Sequence, residues 1–222
     1  MKSRIVQEGV VGWLLCMERK QQDKQHGKKP HSFVRSYSSV SFFFLNLFKI
    51  KPEEFSFKGN TPQYYTRMKA AERQLKKEGI DLKPLLMDTK FASIAGMCHD
   101  DIASQLKSFI AIDIGNGHTT AASIEEGKIQ GIFEHHTSSL TPESLENYLK
   151  RLADGTITNE EVYNDHGHGA HVINSISKIE KVIVSGPKRE LIEKTNLDWH
   201  HAAPGGDVMM TGTVGLVKTI LG

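Results

Sequence analysis

The feature that most constrains the fold is a run of three apolar segments between residues 108 and 136. The first, SFIAIDIG, predicts a buried strand that ends in glycine, and TTAASIEE and KIQGIFEHH predict two further strands. Glu126 and Gly127 separate the second strand from the third as a hairpin-type turn. The chain is therefore expected to run up, down and up again as an antiparallel meander.

Helices and strands alternate after this meander. Thr141 predicts a helix N-cap with Pro142 at the first helical position, and Asp154-Gly155 predicts the end of that helix. Between them four apolar residues recur at i, i+3, i+4 and i+7, namely Leu145, Tyr148, Leu149 and Leu152. The remaining segments predict a fourth strand, a short helix, a fifth strand and a closing helix, in KVIVSG, PKRELIEKT, WHHAA and DVMMTGTVGLVKTIL. The order β-β-β-α-β-α-β-α indicates an α/β fold.

Two helical segments precede the meander. YYTRMKAAERQLKKEG is rich in helix-forming residues and ends at Gly79, a helix-stop signal. In TKFASIAGMCHD three small residues, Ala92, Ala95 and Gly96, recur at helical spacing. Because this face carries almost no side-chain bulk, we expect another helix to approach it closely.

The distribution of charge separates the first 50 residues from the rest. The 222-residue chain has a net charge of +2, but residues 1–50 hold nine Lys/Arg against three Asp/Glu, so the remainder is slightly acidic. Nucleic-acid binding favours a basic stripe, and a membrane crossing takes about 20 apolar residues in a row, so we expect neither partner. Two cysteines provide no disulfide framework, which favours a reducing compartment and the cytoplasm.

The strongest chemical signal is the turn after the first strand, Asp113-Ile114-Gly115-Asn116-Gly117-His118-Thr119. Two glycines let the backbone approach a phosphate closely enough for its N–H groups to cradle the anion, and Thr119 adds a hydroxyl donor. A carboxylate beside phosphates repels them unless Mg²⁺ or its water shell lies between, so Asp113 is a candidate for handling Mg²⁺ or an attacking water. The alternative is a tight β-turn in which Asp113 and Asn116 only satisfy backbone groups.

This turn resembles the second phosphate-binding hairpin of the actin, sugar-kinase and Hsp70-type ATPase superfamily. The resemblance implies two lobes of ribonuclease-H-like fold, each with three antiparallel strands followed by alternating helices and strands, with ATP and Mg²⁺ between them. MDTKFASIAGMC is similar to the connecting helix before that hairpin, and VIVSGPKRELI is similar to the adenosine motif. By that match Gly186 and Pro187 lie against the nucleoside and Arg189 lies on the adenine, while Ser185 replaces the first glycine of the usual pair.

The same resemblance implies another phosphate hairpin near the N-terminus, but no D-x-G occurs before Asp113. We therefore expect residues 1–50 to be an unmatched and poorly ordered segment, residues 51–107 to be a helical remnant of the first lobe, and residues 108–222 to be the second lobe. Such a chain is expected to be an ATPase or ATP-dependent phosphotransferase that is truncated and weak or inactive alone. The other expectation is a module that binds nucleotide together with a self-associating or complementing lobe.

At finer grain, six segments together resemble a prokaryotic family of unknown function over about residues 62–222: YYTRMKAAE, LLMDT, IGNGHT, FEHHT, ADGTITNEEV and DHGHGA. Some members of that family carry the label pyruvate formate-lyase activating enzyme, which implies radical chemistry at an iron-sulfur cluster. Such a cluster is held by several cysteine thiolates. Cys16 and Cys98 are too few and too far apart, so we expect no iron-sulfur cluster.

A second polar cluster predicts an alternative function. Its members are Glu134, His135, His136, Asp165, His166, His168 and His171. Imidazoles and carboxylates at this density suit Zn²⁺ or Fe²⁺, which indicates a metal-dependent enzyme. Because His166-Gly167-His168-Gly169 is more typical of a loop than of a helix, the same residues equally suit substrate or phosphate contacts, or simple exposure at the surface.

Overall fold

The computed structural model describes residues 51–63, 65–80 and 83–221. The expectation of poor order in residues 1–50 falls outside these ranges. The described part begins with a 3-10 helix over Pro52–Phe55. A small antiparallel pair follows, β1 (Ser56–Lys58) and β2 (Leu85–Met87), joined through helix α1 (Thr66–Lys77). Helix α2 (Thr89–Cys98) follows and leads into the main sheet.

The main sheet has six strands in the order β6-β5-β4-β3-β7-β8. Their bounds are β3 Ser108–Ile114, β4 His118–Glu125, β5 Lys128–His136, β6 Gly169–Val172, β7 Val182–Ser185 and β8 Trp199–His201. β3 pairs with β7 and β7 with β8 in parallel, whereas the pairs β3–β4, β4–β5 and β5–β6 are antiparallel. The protein therefore has an α/β fold with a mixed sheet, as the sequence predicts at this level.

Helices cover both faces of this sheet. Helices α3 (Pro142–Asp154) and α4 (Asn159–Asn164) pack on one face, and α5 (Thr211–Leu221) joins α2 on the other. We call these the α3 face and the α2 face. Side chains that alternate along β3 divide between them, since Ile112 packs on the α3 face and Ala111 on the α2 face. No helix in the described ranges combines the length and apolar character that a membrane crossing needs.

The predicted meander and its following helix are confirmed. Glu126 and Gly127 form the turn between β4 and β5 with φ of 50° and 71°, the left-handed conformation that a tight hairpin requires. The hydroxyl of Thr141 accepts a hydrogen bond from the Ser144 N–H at 3.2 Å and so caps α3. The helix ends at Gly155, whose φ is 73°.

The predicted order of the later elements was wrong at three points. Helix α4 and strand β6 are additional, so KVIVSG is the fifth strand of the main sheet rather than the fourth, and WHHAA contributes the sixth. PKRELIEKT forms a 3-10 helix over Arg189–Lys194 instead of a short α-helix. A 3-10 turn over Val208–Met210 precedes the closing helix, which begins at Thr211. These are short elements, whose local preferences are too weak to specify their type.

The close helix approach that the small residues predict is confirmed between α2 and α5. A Cβ atom on Gly96 would lie 1.9 Å from the Thr211 carbonyl oxygen, and a Cβ atom on Gly215 would lie 2.0 Å from the Ala92 carbonyl oxygen. Glycine at both positions lets the two backbones touch. Apolar side chains of α2, among them Phe91 and Ile94, belong to the same core cluster as β3 residues Phe109 and Ala111.

Candidate functional site

Most of the predicted site residues lie at one end of the main sheet. This end contains the β3–β4 turn, the last residues of β5, the segment before β6 and the last residue of β7. In the turn, Asn116 and Gly117 are exposed and Gly115 is half-buried. The Gly115 N–H donates to the His118 carbonyl at 3.0 Å, and a Cβ on Gly115 would lie 2.7 Å from that oxygen. The turn therefore needs glycine at its first position.

Asp113 connects this turn to the loop after β7. It is half-buried and lies between two register partners, Thr120 on β4 and Ser185 on β7. Gly186 follows with φ of 99°, and a Cβ on it would lie 2.6 Å from the Asp113 Oδ1 and 2.4 Å from the Ile114 carbonyl oxygen. The backbone of Gly186 therefore packs directly on the Asp113 carboxylate, and a larger residue would displace it.

The remaining residues of the VSGPKR segment continue along the same end. The Lys188 N–H donates to the Ile114 carbonyl at 2.9 Å, which ties the loop to β3. Arg189 is half-buried and its Nη1 donates to the Gly186 carbonyl at 3.1 Å, whereas Pro187 is exposed. The two motifs singled out in the sequence, the glycine hairpin and the VSGP segment, are thus neighbours in space.

Thr119 lies inside the protein rather than on the surface of the turn. Its side chain is buried, and its Oγ1 is 3.0 Å from the Oγ1 of Thr137. The Thr137 hydroxyl donates to the Gly115 carbonyl at 2.8 Å, and its backbone N–H donates to the Gly117 carbonyl at 3.0 Å. Since the Thr137 hydrogen is used in that bond, Thr119 is the donor between the two hydroxyls. The pair braces the turn from beneath.

Three histidines meet beside the turn. His118 and His136 are register partners on β4 and β5, and the ring of His168 lies against both. The ring centroids are separated by 4.8 Å for His118–His136, 4.8 Å for His118–His168 and 4.6 Å for His136–His168. One nitrogen of each ring lies within 4.8 Å of the others, and all three side chains are half-buried. We call this group the histidine triad.

A β-bulge decides which histidine joins the triad. The tight turn pairs Glu125 with Lys128, and the register then shifts by one residue between Ser123 and Ile124. Without that shift His118 would lie opposite His135 instead of His136. A one-residue slip moves side chains to the other face of a sheet, so the bulge places His136 on the α2 face and His135 on the α3 face.

The rest of the predicted polar cluster therefore divides between the two faces. On the α3 face, His135 is fully buried and its Nε2 lies 3.2 Å from the Asp165 carboxylate, which also accepts a hydrogen bond from the Tyr148 hydroxyl at 2.7 Å. His166 is exposed with φ of 64°, whereas His171 is half-buried on β6, where it pairs with Ile132 and so lies on the α2 face. These residues do not belong to the group whose ligand atoms lie within 4.8 Å of one another, so they would not bind the same metal ion as the triad.

On the α2 face, Glu134 forms a buried ion pair with Lys90. Lys90 lies in the first turn of α2, and, like Thr137, it is a residue of the site that the sequence interpretation overlooked. The sequence could have pointed to Lys90, because it is the only charged residue in the helix TKFASIAGMC. A lone charge in an otherwise apolar helix requires a buried partner.

The surroundings of the triad favour the neutral form of His168. Burial, together with the nearby His136 and Lys90, lowers the pKa of His168 to about 4. Burial also lowers the pKa of His171. On the opposite face, burial and the hydrogen bond to Asp165 raise the pKa of Tyr148. His168 is therefore a neutral imidazole at physiological pH, the form that can accept a proton or bind a metal.

Comparisons with known proteins identify one family. The family model described as "Putative pyruvate format-lyase activating enzyme (DUF1786)" matches residues 22–191. The resembling motifs start at Pro62, but the family match begins well before that residue. The match ends within the 3-10 helix over Arg189–Lys194. No protein with a curated description matches the chain. The ethanolamine utilization protein EutJ from Carboxydothermus hydrogenoformans is 16% identical, with a TM-score of 0.35 over 68% of this chain, and the chain spans 61% of that structure.

Proposed function

The chain belongs to the DUF1786 family, and we propose that it binds a nucleotide through its phosphates, with Mg²⁺ between the phosphates and Asp113. One observation carries this proposal. The Asp113 carboxylate, the glycine turn that follows it and the Gly186 backbone come together at the carboxyl ends of the adjacent parallel strands β3 and β7. Ligands of open α/β sheets bind at this kind of position.

The strand order supports a ribonuclease-H-like lobe. The chain leaves β3 towards β4 and β5 on one side, and returns to β7 and β8 on the other. Apart from the additional edge strand β6, this order of three antiparallel strands followed by two parallel ones is what the resemblance to the actin-like ATPase superfamily implies. The chain thus adds strands first on one side of β3 and then on the other, so β3 and β7 form a switch point in the strand order. At such a point a crevice opens outside the carboxyl ends of the two strands. The nucleotide in our proposal lies in that crevice.

The turn is suited to phosphate. Gly117 is exposed, and no atom lies within 4 Å of the position that a Cβ would occupy. A phosphate oxygen can therefore approach the backbone N–H groups of Asn116 and Gly117 without a side chain in its path. Thr119 and Thr137 hold the turn from below, so its shape is present before any ligand arrives.

Asp113 requires a cation in this arrangement. A half-buried carboxylate beside phosphates repels them, and Mg²⁺ removes that repulsion because it takes oxygen ligands from carboxylates, phosphates and water together. In our proposal Asp113 contacts Mg²⁺ through its water shell. In the same proposal Gly186 and Pro187 lie against the nucleoside, and Arg189, whose Nη1 donates to the Gly186 carbonyl, lies on the adenine.

The expected affinity is low because this chain contributes one D-x-G hairpin. A backbone N–H donor to a charged acceptor is worth about 1.5–3 kcal/mol, and a neutral bond about 1 kcal/mol. An opposing hairpin with two or three such donors would add about 3–6 kcal/mol, or roughly two to four decades in Kd. We therefore propose millimolar ATP binding and no measurable turnover by the chain alone, with an ATPase or phosphotransferase reaction when a complementing lobe is present.

The radical chemistry named in the family description is not part of this proposal. An iron-sulfur cluster is held by three or four cysteine thiolates. Cys98 lies at the end of α2 and burial raises its pKa to about 12, which opposes the thiolate form that a cluster needs. Cys16 is the other cysteine of the chain.

The test compares two aspartate variants. Isothermal titration with millimolar ATP, with and without MgCl₂, should show Mg²⁺-dependent binding by the wild-type chain. Asp113→Asn should weaken that binding by about tenfold, since it removes one charge-assisted contact. The control, Asp101→Asn, changes an exposed carboxylate after α2 and should bind as wild type does. Equal binding by both variants, or no binding by the wild-type chain, would show that the turn is structural.

A further inference from the structure

We propose that His118, His136 and His168 form a binding site for a divalent transition metal of the Zn²⁺ class. The site is independent of the nucleotide, because its three ligands come from side chains on the α2 face and not from the N–H groups of the turn. Each histidine offers one ring nitrogen, and these nitrogens already lie within 4.8 Å of one another.

Small side-chain rotations convert this arrangement into a coordination site. Zn²⁺ bound to imidazole nitrogens at about 2.0–2.1 Å in tetrahedral geometry places those nitrogens about 3.4 Å apart. The triad nitrogens therefore have to approach by at most about 1.4 Å. His118 and His136 are directly opposite on paired strands, where Cβ atoms lie about 4.5–5.5 Å apart, so rotation about χ1 and χ2 provides this movement.

The backbone around His168 is fixed by specific contacts. Its N–H donates to the Glu134 carbonyl at 2.8 Å, and Gly169 then pairs with Glu134 as the first residue of β6. Gly167 is buried, and a Cβ on it would lie 2.6 Å from both His135 Cδ2 and Val162 Cγ1. The glycines of the H-G-H-G segment thus let it pack tightly against the sheet, which presents His168 to the other two ligands.

The ligand set selects the class of metal. Three imidazoles and no carboxylate disfavour Mg²⁺ and Ca²⁺, which prefer oxygen ligands, and favour Zn²⁺, Co²⁺, Ni²⁺ or Cu²⁺. Three protein ligands leave the fourth tetrahedral position for water or an anion, as in catalytic zinc sites. Because all three side chains are half-buried rather than enclosed, that position is open to solvent beside the β3–β4 turn.

The test titrates the full-length chain, produced without a polyhistidine tag, with Zn²⁺ and Co²⁺. We expect one tight site, and visible absorption bands typical of four- or five-coordinate Co²⁺. His136→Ala and His168→Ala should each weaken Zn²⁺ binding by at least about 100-fold, because loss of a partner outside the ligand set already costs 10–100-fold. The chain has 11 histidines, and the others can also bind Zn²⁺. The affinities of the variants, and not the stoichiometry of binding, therefore show whether the triad is the site.

The matched control is His166→Asn. His166 is two residues from His168, exposed and at positive φ, a conformation that asparagine tolerates. This variant should bind Zn²⁺ as wild type does. Equal affinity in His136→Ala, His168→Ala and His166→Asn would overturn the proposal, as would an octahedral Co²⁺ spectrum from the wild-type chain.

A second readout avoids dependence on variants that fail to fold. Bound Co²⁺ broadens nearby amide NMR signals in the wild-type chain. We expect the broadening to centre on His118, His136 and His168. Broadening centred on other histidines would place the metal elsewhere and refute the assignment.

Discussion

Replacing Lys90 by methionine tests whether the buried ion pair with Glu134 holds the candidate site together. The Lys90 side chain is 11% exposed and that of Glu134 is 2% exposed, so neither charge is well solvated. Removing one partner of a buried pair leaves the other charge uncompensated, which typically costs about 3–5 kcal/mol. We therefore expect Lys90→Met to lower the free energy of unfolding by that amount.

The double variant separates the lost attraction from the stranded charge. Replacing a complete buried pair by apolar residues of similar volume is often neutral or stabilising. Lys90→Met combined with Glu134→Leu should therefore recover most of the stability that Lys90→Met alone loses. The recovery is the signature of burial, because an exposed pair has no desolvated charge to leave behind.

Urea denaturation followed by circular dichroism measures these differences, with Lys150→Met as the matched control. Lys150 pairs with Glu146 one helical turn away on α3, and its side chain is 56% exposed. Removing it should change the free energy of unfolding by about 0.5 kcal/mol or less. If Lys90→Met costs no more than Lys150→Met, or if the double variant is as unstable as the single one, the reasoning about this pair is wrong.

Two further predictions concern α2. Gly96→Ala should lower stability by about 1–3 kcal/mol or more in thermal or urea unfolding, because its Cβ would collide with the Thr211 carbonyl. The control is Gly212→Ala, whose Cβ would have no atom closer than 3.9 Å, and which should be neutral or stabilising. In a Cys16→Ser background at pH 8, Cys98 should react with a thiol reagent far more slowly in the native protein than in urea. The reason is that burial raises the pKa of Cys98 to about 12, which leaves a thiolate fraction of about one in ten thousand. Equal rates in the native protein and in urea would contradict that burial.

Elements with strong local signals were predictable from the sequence. The cap at Thr141 and the left-handed stop at Gly155 lie within the residues that form them, so no distant contact is needed to specify α3. The small face of α2 likewise predicted a close helix, although it could not identify α5 as the partner. In these cases the physical cause is local and the sequence displays it.

Strand β6 was not predictable in the same way. Gly169–Val172 contains four residues, begins with glycine and shows no sustained alternation. It is a strand because the edge of β5 offers it hydrogen-bond partners from Gly131 to Glu134. Pairing with a segment that is distant in sequence therefore determines that these residues form a strand. Local β-propensity does not predict such pairing.

The histidine triad was missed for a related reason. His118 belonged to the predicted phosphate turn, while His136 and His168 belonged to a separate predicted cluster. Counting residues back from the turn at Glu126-Gly127 pairs His118 with His135, and only the bulge corrects this to His136. Gly131, an isolated glycine within the apolar part of β5, was the available signal, since such glycines often mark a bulge.

The most direct test of the proposed nucleotide site is an NMR titration of the ¹⁵N-labelled chain with ATP at millimolar concentration, with and without MgCl₂. Our account predicts that Mg²⁺-dependent shifts concentrate on the amide signals of Gly115, Asn116, Gly117 and Gly186, because these lie at the carboxyl ends of β3 and β7. Shifts that are absent at these four amides, or that concentrate on another part of the chain, would contradict it.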